Sequence, residues 1–175
     1  MEIIKITVGQ LQTNCYLLIS DGEVAVIDPG DEAQKIIDET VKTRAAIKSI
    51  IVTHNHFDHV GALKELEKKF AITAIIPKAG QNIVIGAEKL KVVATPGHTA
   101  ESICLFGGGF VVSGDTLFSD GFGRTDLEGG SNKDMAGSLK KLDELIPEGA
   151  AVYPGHGRDF IYRKGMATAW LDYLM

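Results

Sequence analysis

Every histidine in this 175-residue chain lies within two residues of a glycine, an aspartate or another histidine, and that placement restricts the folds open to it. Three of the five crowd into Thr53-His54-Asn55-His56-Phe57-Asp58-His59. The other two occupy turns, Pro96-Gly97-His98-Thr99 and Pro154-Gly155-His156-Gly157. Imidazole is the commonest metal ligand at neutral pH, and no histidine is left over for ordinary structural duty. The pattern points to a metal centre, so the scaffold must carry distant segments to one place.

The rest of the chain supplies such a scaffold. Residues 3–8, 15–19 and 23–27 read as strands, the last ending at the turn Asp28-Pro29-Gly30. Spacing predicts a helix over 31–44, with Ala33, Ile36, Ile37 and Val41 on one side. A strand over 47–53 runs into the histidine cluster, and a helix over 60–70 follows, with Leu63 and Leu66 inward. Strands are expected over 71–76 and 90–94, and a hairpin joins 102–106 to 110–113 across three glycines. A glycine-rich loop (118–131), a helix (133–145), a strand (150–153) and a closing helix (159–174) complete the reading.

One arrangement recurs: a strand ends, and the next turn carries a histidine or aspartate. Thr53 leads into His54, Ala94 to His98, Ser113 to Asp115 and Tyr153 to His156. A rigid sheet fixes such ligands while the loops stay open to substrate. Two blocks of strands with interspersed helices predict an α/β fold of two packed sheets covered by helices. The length fits one domain, 1–175.

Composition narrows the partners. A formal charge of −5 with no basic patch argues against nucleic acid. The N-terminal residues show no basic stretch followed by a long apolar run, and no apolar run has the length of a membrane span, so a cytoplasmic protein without membrane association is expected. Cys15 and Cys104 each sit in an apolar run and read as buried thiols.

His54 and His56 leave an extended segment on the same side and can share one ion with His98. Asp58 and His59 lie where the next helix begins and suit a second ion with His156. The two carboxylate oxygens of Asp115 can bridge both. These shells keep an open position for water, as catalytic sites do, and lack the thiolates usual in closed structural zinc sites.

These residues carry a resemblance. His54-x-His56-x-Asp58-His59, Pro96-Gly97-His98-Thr99, Gly114-Asp115 and Gly155-His156, with the opening Asn14-Cys15-Tyr16 and Ile27-Asp28-Pro29-Gly30, resemble the metallo-β-lactamase superfamily. Ser113-Gly114-Asp115-Thr116-Leu117-Phe118 and Gly123-Arg124-Thr125-Asp126 are similar to glyoxalase II (hydroxyacylglutathione hydrolase) and its shorter relatives. The resemblance implies an αβ/βα sandwich of two mixed sheets flanked by helices, with a dinuclear centre. It departs in two places. Little chain follows His156 to build the helical glutathione-binding region, and Asp126 and Arg158 stand where the family uses tyrosines.

The expected protein is therefore a hydrolase using two divalent ions, zinc first, with iron or manganese also suited to the ligands. Water activated between the ions would attack the carbonyl of a small-molecule acyl thioester or ester, with Asp58 orienting it. Arg124 is the candidate anchor for a substrate carboxylate, with an internal salt bridge to Asp126 or Asp120 as its alternative role. Phe118 and Phe122 are candidates for an apolar wall. Asp28 is a candidate for orienting a histidine. Two other readings compete. A mononuclear iron oxygenase acting on persulfides would need only His54, His98 and Asp115. A non-catalytic metal-binding module should have lost ligands, and none is missing.

Overall fold

In the computed structural model, which describes residues 1–174, alternating side chains hold two β-sheets face to face between helices. The first sheet contains β1 (Glu2–Val8), β2 (Thr13–Ser20), β3 (Glu23–Ile27) and, after helix α1 (Ala33–Lys42), β4 (Ala46–Ile51). Its order is β1-β2-β3-β4, and β3 and β4 run parallel across the α1 crossover. Helices α2 (Phe57–Val60) and α3 (Leu63–Phe70) follow.

The second sheet takes β5 (Asn82–Ile85), β6 (Glu88–Ala94), β7 (Ile103–Gly107) and β8 (Phe110–Gly114). A small hairpin comes next, β9 (Leu117–Phe118) with β10 (Gly121–Phe122), then helix α4 (Asn132–Leu145). Strands β11 (Ala151–Pro154) and β12 (Phe160–Ile161) complete a sheet of order β12-β11-β8-β7-β6-β5, with β11 parallel to β8.

The period of two explains the layering. In β2, Cys15 and Leu17 pack toward α1 and α3, while Tyr16 and Leu18 face the other sheet. In β7 and β8, Ile103, Leu105, Phe110 and Val112 face inward, while Cys104 and Val111 pack under α4. Both sheets are thus buried on both faces, which accounts for their nearly continuous apolar runs. The cysteines are free and buried, in clusters on the outer faces of opposite sheets.

Several expected elements differ. In α1 the fourth inward residue is Thr40, and Val41 is 59% exposed. The helix expected over 60–70 breaks at Gly61, whose backbone crosses that of Gly30. Residues 71–76 form no strand beyond a single bridge from Ile75 to Ile51, and Pro77 removes the next donor. The short strand β5 takes the sheet edge instead. The closing helix expected over 159–174 is absent: Phe160 and Ile161 pair with β11, and only a short 3-10 turn, Thr168–Tyr173, follows. Gly165 in the left-handed region, φ 88°, separates them. Among the described residues no helix is long and apolar enough to cross a membrane.

Candidate metal centre

The ends of β4, β6, β8 and β11 converge and bring all seven expected donors together. His54, His56 and His98 offer ligand atoms within 4.8 Å of one another, as do Asp58, His59 and His156. Asp115 lies between these groups. Its Oδ1 is 3.4 Å from His59 Nε2, and its Oδ2 is 3.5 Å from Nε2 of both His98 and His156. Asp58 Oδ2 stands 3.2 Å from His156 Nε2. Donors bonded at about 2.0 Å to a tetrahedral ion lie roughly 3.3 Å apart, so these spacings suit metal ligation.

The imidazoles are aimed by hydrogen bonds at the opposite ring nitrogen. His59 Nδ1 meets Asp28 Oδ2 at 3.1 Å, His98 Nδ1 meets the Arg124 carbonyl at 2.7 Å, and His156 Nδ1 meets the Leu11 carbonyl at 3.0 Å. The Thr53 hydroxyl donates to Asp28 Oδ2 at 2.7 Å, so its oxygen is free to accept from His54 Nδ1 at 3.2 Å. These partners assign the proton to Nδ1 and leave Nε2 facing the centre. There, His54 Nε2, His98 Nε2 and Asp115 Oδ1 are buried without a hydrogen-bond partner. Such orphaned acceptors are costly unless something binds them. Imidazole and carboxylate donors fit zinc, iron or manganese.

The carboxylate of Asp28 is thus tied to one histidine of each group, through Thr53 to His54 and directly to His59. Thr13, not anticipated from sequence, donates to Asp58 Oδ2 at 2.9 Å. Asn14 and Tyr16 hold the His156 turn: Asn14 Nδ2 and the Tyr16 hydroxyl both donate to the Pro154 carbonyl, at 3.0 and 2.6 Å. An asparagine opening the apolar run Cys15–Ile19 is a sequence signal that could have revealed this clamp. Gly155 permits close approach, since a Cβ there would sit 2.1 Å from Asp115 Oδ1.

Charge is shared tightly across the centre. Burial alone would lower the pKa of His59, but Asp115 and Asp28 outweigh it and raise it to about 10. Burial likewise opposes, and Asp58 and Asp115 override it, in raising His156. His54 is driven down to about 2, first by burial and then by His59. For Asp115, burial opposes ionisation, yet His59 draws its pKa down to about 2. Asp58 is also held well below the usual carboxylate range, chiefly by His156 and His59 against its burial.

These shifts have a measurable consequence. At pH 7 the metal-free protein should hold a proton on His59, because its raised pKa lies above that pH. A metal needs that nitrogen bare, so uptake should release at least about one proton and weaken as pH falls. Calorimetric titration in buffers of different ionisation enthalpy checks this. Metal uptake at pH 7 with no proton release would contradict it.

A cleft of about 1100 Å³ opens over the centre, lined by His56, Asp58, His98, Asp115 and His156 among others. Arg124 lines it too, but its Nε and Nη2 pair with both oxygens of Asp126 at 2.7 Å. Phe118 contributes to the wall, its ring 6.4 Å from that of His156, whereas Phe122 packs against the outer core. Arg158 is not among the lining residues and reaches Ser119 instead.

Known proteins share this architecture. The family model of the metallo-beta-lactamase superfamily matches residues 8–91 and 80–156. A Bacillus subtilis (strain 168) protein described as a probable metallo-hydrolase, YqgX, is 31% identical over 87% of this chain and 89% of its own. The solved structure of the B3 metallo-beta-lactamase BLEG-1 superposes with a TM-score of 0.85 at 26% identity, covering 98% of this chain and 97% of that one. TTHA1623, solved in a di-iron-bound form, gives 0.82 at 29% identity, covering 90% and 94%. With its two-sheet sandwich and its histidines and aspartates gathered at the strand ends, this chain belongs to the metallo-beta-lactamase superfamily.

Proposed function

We propose that the chain is a metal-dependent hydrolase of acyl thioesters, of the short glyoxalase II-like kind. The observation that carries this reading is that the donor cluster forms part of the wall of an open cleft. A structural site would be closed over its ion. His54, His56 and His98 would hold one divalent ion, and Asp58, His59 and His156 a second, with Asp115 between them. Such ions supply Lewis acidity, which makes water nucleophilic near neutral pH and polarises a carbonyl.

The protein's own groups do the rest. Asp58, ionised and fixed by the Thr13 hydroxyl, orients the attacking water and accepts its hydrogen bond. Asp28, Leu11 and the Arg124 carbonyl keep the imidazoles turned inward. The leaving group favours thioesters. A thiol of pKa about 8.5 departs as thiolate without a strong acid, whereas an amine must be protonated. Among the described residues no lysine, tyrosine or cysteine lines the cleft to do that, and the carboxylates there outside the donor cluster, Glu101 and Glu128, are exposed.

The test is a panel of thioesters, esters and amides assayed on the purified protein with metal quantified in parallel. Thioester turnover with about two ions per chain supports the proposal. One iron per chain with oxygen uptake would replace it with the mononuclear oxygenase reading, and a filled site inert to the panel would favour the binding module.

Glutathione should be a poor carrier, because Asp126 is paired with Arg124 and Arg158 reaches Ser119, at positions where the glyoxalase II resemblance implies tyrosines. Arg124 is proposed as the remaining anchor for an anionic group. Its partner Asp126 is exposed, so a substrate carboxylate can exchange for it in water at little cost. Arg124→Ala should lower kcat/KM for lactoylglutathione about tenfold and spare a thioester of a small neutral thiol. Strong preference for lactoylglutathione, unchanged in Arg124→Ala, would refute both statements.

A further inference from the structure

Three large apolar side chains stand in solvent around the cleft. Phe57 is 74% exposed, Leu11 54% and Leu127 38%, and all three line it beside the partly buried Phe118. They come from separate segments: Leu11 from the turn between β1 and β2, Phe57 from the start of α2, and Leu127 from the loop before α4. Isolated exposed apolar residues need no explanation, but convergence of several on one concave site marks a ligand surface.

Phe57 is the most telling. His56 and Asp58, both in the donor cluster, flank it, and the His59 amide donates to the His56 carbonyl at 2.9 Å. Its backbone is therefore committed to the metal centre. The charged part of the cleft lining is differently made. Arg124 is matched by Asp126, and the other charged side chains there outside the donor cluster are the carboxylates Glu101 and Glu128. Among the described residues no lysine or second arginine lines this surface for another anion, whereas an alkyl or aryl chain finds three apolar partners.

Building on the hydrolase reading, we infer that the acyl group of the substrate carries an apolar arm, held by Phe57, Leu127 and Leu11. These are specificity residues: they select which carbonyl reaches the centre and take no part in bond-making. Burying a methylene against such a surface favours binding by about two- to fourfold.

The experiment uses the metal-loaded protein and acetyl, butanoyl and hexanoyl thioesters of one neutral thiol. Wild-type kcat/KM should rise about two- to fourfold per methylene, and Leu127→Ala, remote from the ligands in sequence, should reduce that slope. Phe57→Ala should reduce it further and Phe57→Leu restore part of it, each with wild-type metal content. A flat wild-type series, or a slope unchanged in the Phe57→Ala/Leu127→Ala double variant, overturns the inference. So does a slope that follows the thiol chain instead of the acyl chain. Product binding separates this from the reaction itself. If no thioester is hydrolysed, the hydrolase reading fails, yet hexanoate should still bind more tightly than acetate, and a tie between them overturns the apolar arm.

Discussion

Asp115→Ala should strip most of the bound metal and lower turnover by about a thousandfold, the upper end of what a single charge-stabilising group supplies. Among the described residues no other carboxylate forms close contacts with histidines of both donor groups. Its Oδ1 lies 3.4 Å from His59 and its Oδ2 lies 3.5 Å from His98 and from His156. Two cations held side by side, as proposed, would repel, and the charge of Asp115 would offset that repulsion. Without it, Asp58, which belongs to one donor group alone, is the carboxylate left to balance the charge. Asp115→Asn keeps the shape and one carbonyl oxygen but loses the charge, so it should retain the fold and less than full metal. Metal-to-protein ratios, kcat and a melting curve on the three proteins decide the matter. Full occupancy with near-normal turnover in the alanine variant would remove Asp115 from the centre.

The seven side chains that the structure gathers were legible in the sequence because of where they stand. A strand end is locally legible: an apolar run stops, and a glycine, histidine or aspartate follows. His98 after β6 and Asp115 after β8 are visible in that way without any knowledge of which strands pair. The αβ/βα sandwich was legible through the same runs and the resemblance they carry. What supports the donors was not. The Leu11 carbonyl that orients His156 is a backbone atom 145 residues away, and no side chain advertises it. Thr13 and Tyr16 look like ordinary strand residues until β2 is placed against the end of β11.

The misread elements share a physical cause. Val41 fits the helical stripe as well as Thr40 does, but packing against the sheet turns Thr40 inward, where its hydroxyl donates to the Ile36 carbonyl at 2.7 Å. Local spacing cannot see that choice, because the packing partner decides it. Residues 160–161 could extend a helix, yet the free edge of β11 captures them as a strand. Tertiary pairing overrides local preference where a sheet edge has unpaired backbone groups to satisfy. The same limit applied to Arg124. Its neighbour Asp126 was a visible partner, but only the folded loop shows two parallel bonds closing that pair while its carbonyl accepts from His98.

Asp58→Asn should separate ligation from catalysis. The substitution preserves size and lets Thr13 keep donating to an amide oxygen where it now donates to Oδ2 at 2.9 Å. The protein should fold normally. His59 and His156 remain, so most of the ion proposed at that group should stay, with an amide oxygen as a weaker donor than the carboxylate. What disappears is the negative charge beside the attacking water. Positioned bases typically contribute about 10²–10⁴-fold, so kcat should fall by at least about a hundredfold. KM should change much less, because orientation of the water is felt in the transition state and scarcely in ground-state binding. Metal quantification on the same sample tells the two roles apart. If kcat falls only in proportion to lost metal, Asp58 is a ligand and nothing more. If the site stays filled and turnover stays near normal, it has neither the orienting role nor an essential place among the donors. A filled site with a hundredfold slower enzyme and an unchanged KM is the result that the position of this carboxylate, held by Thr13 at the edge of the cleft, leads us to expect.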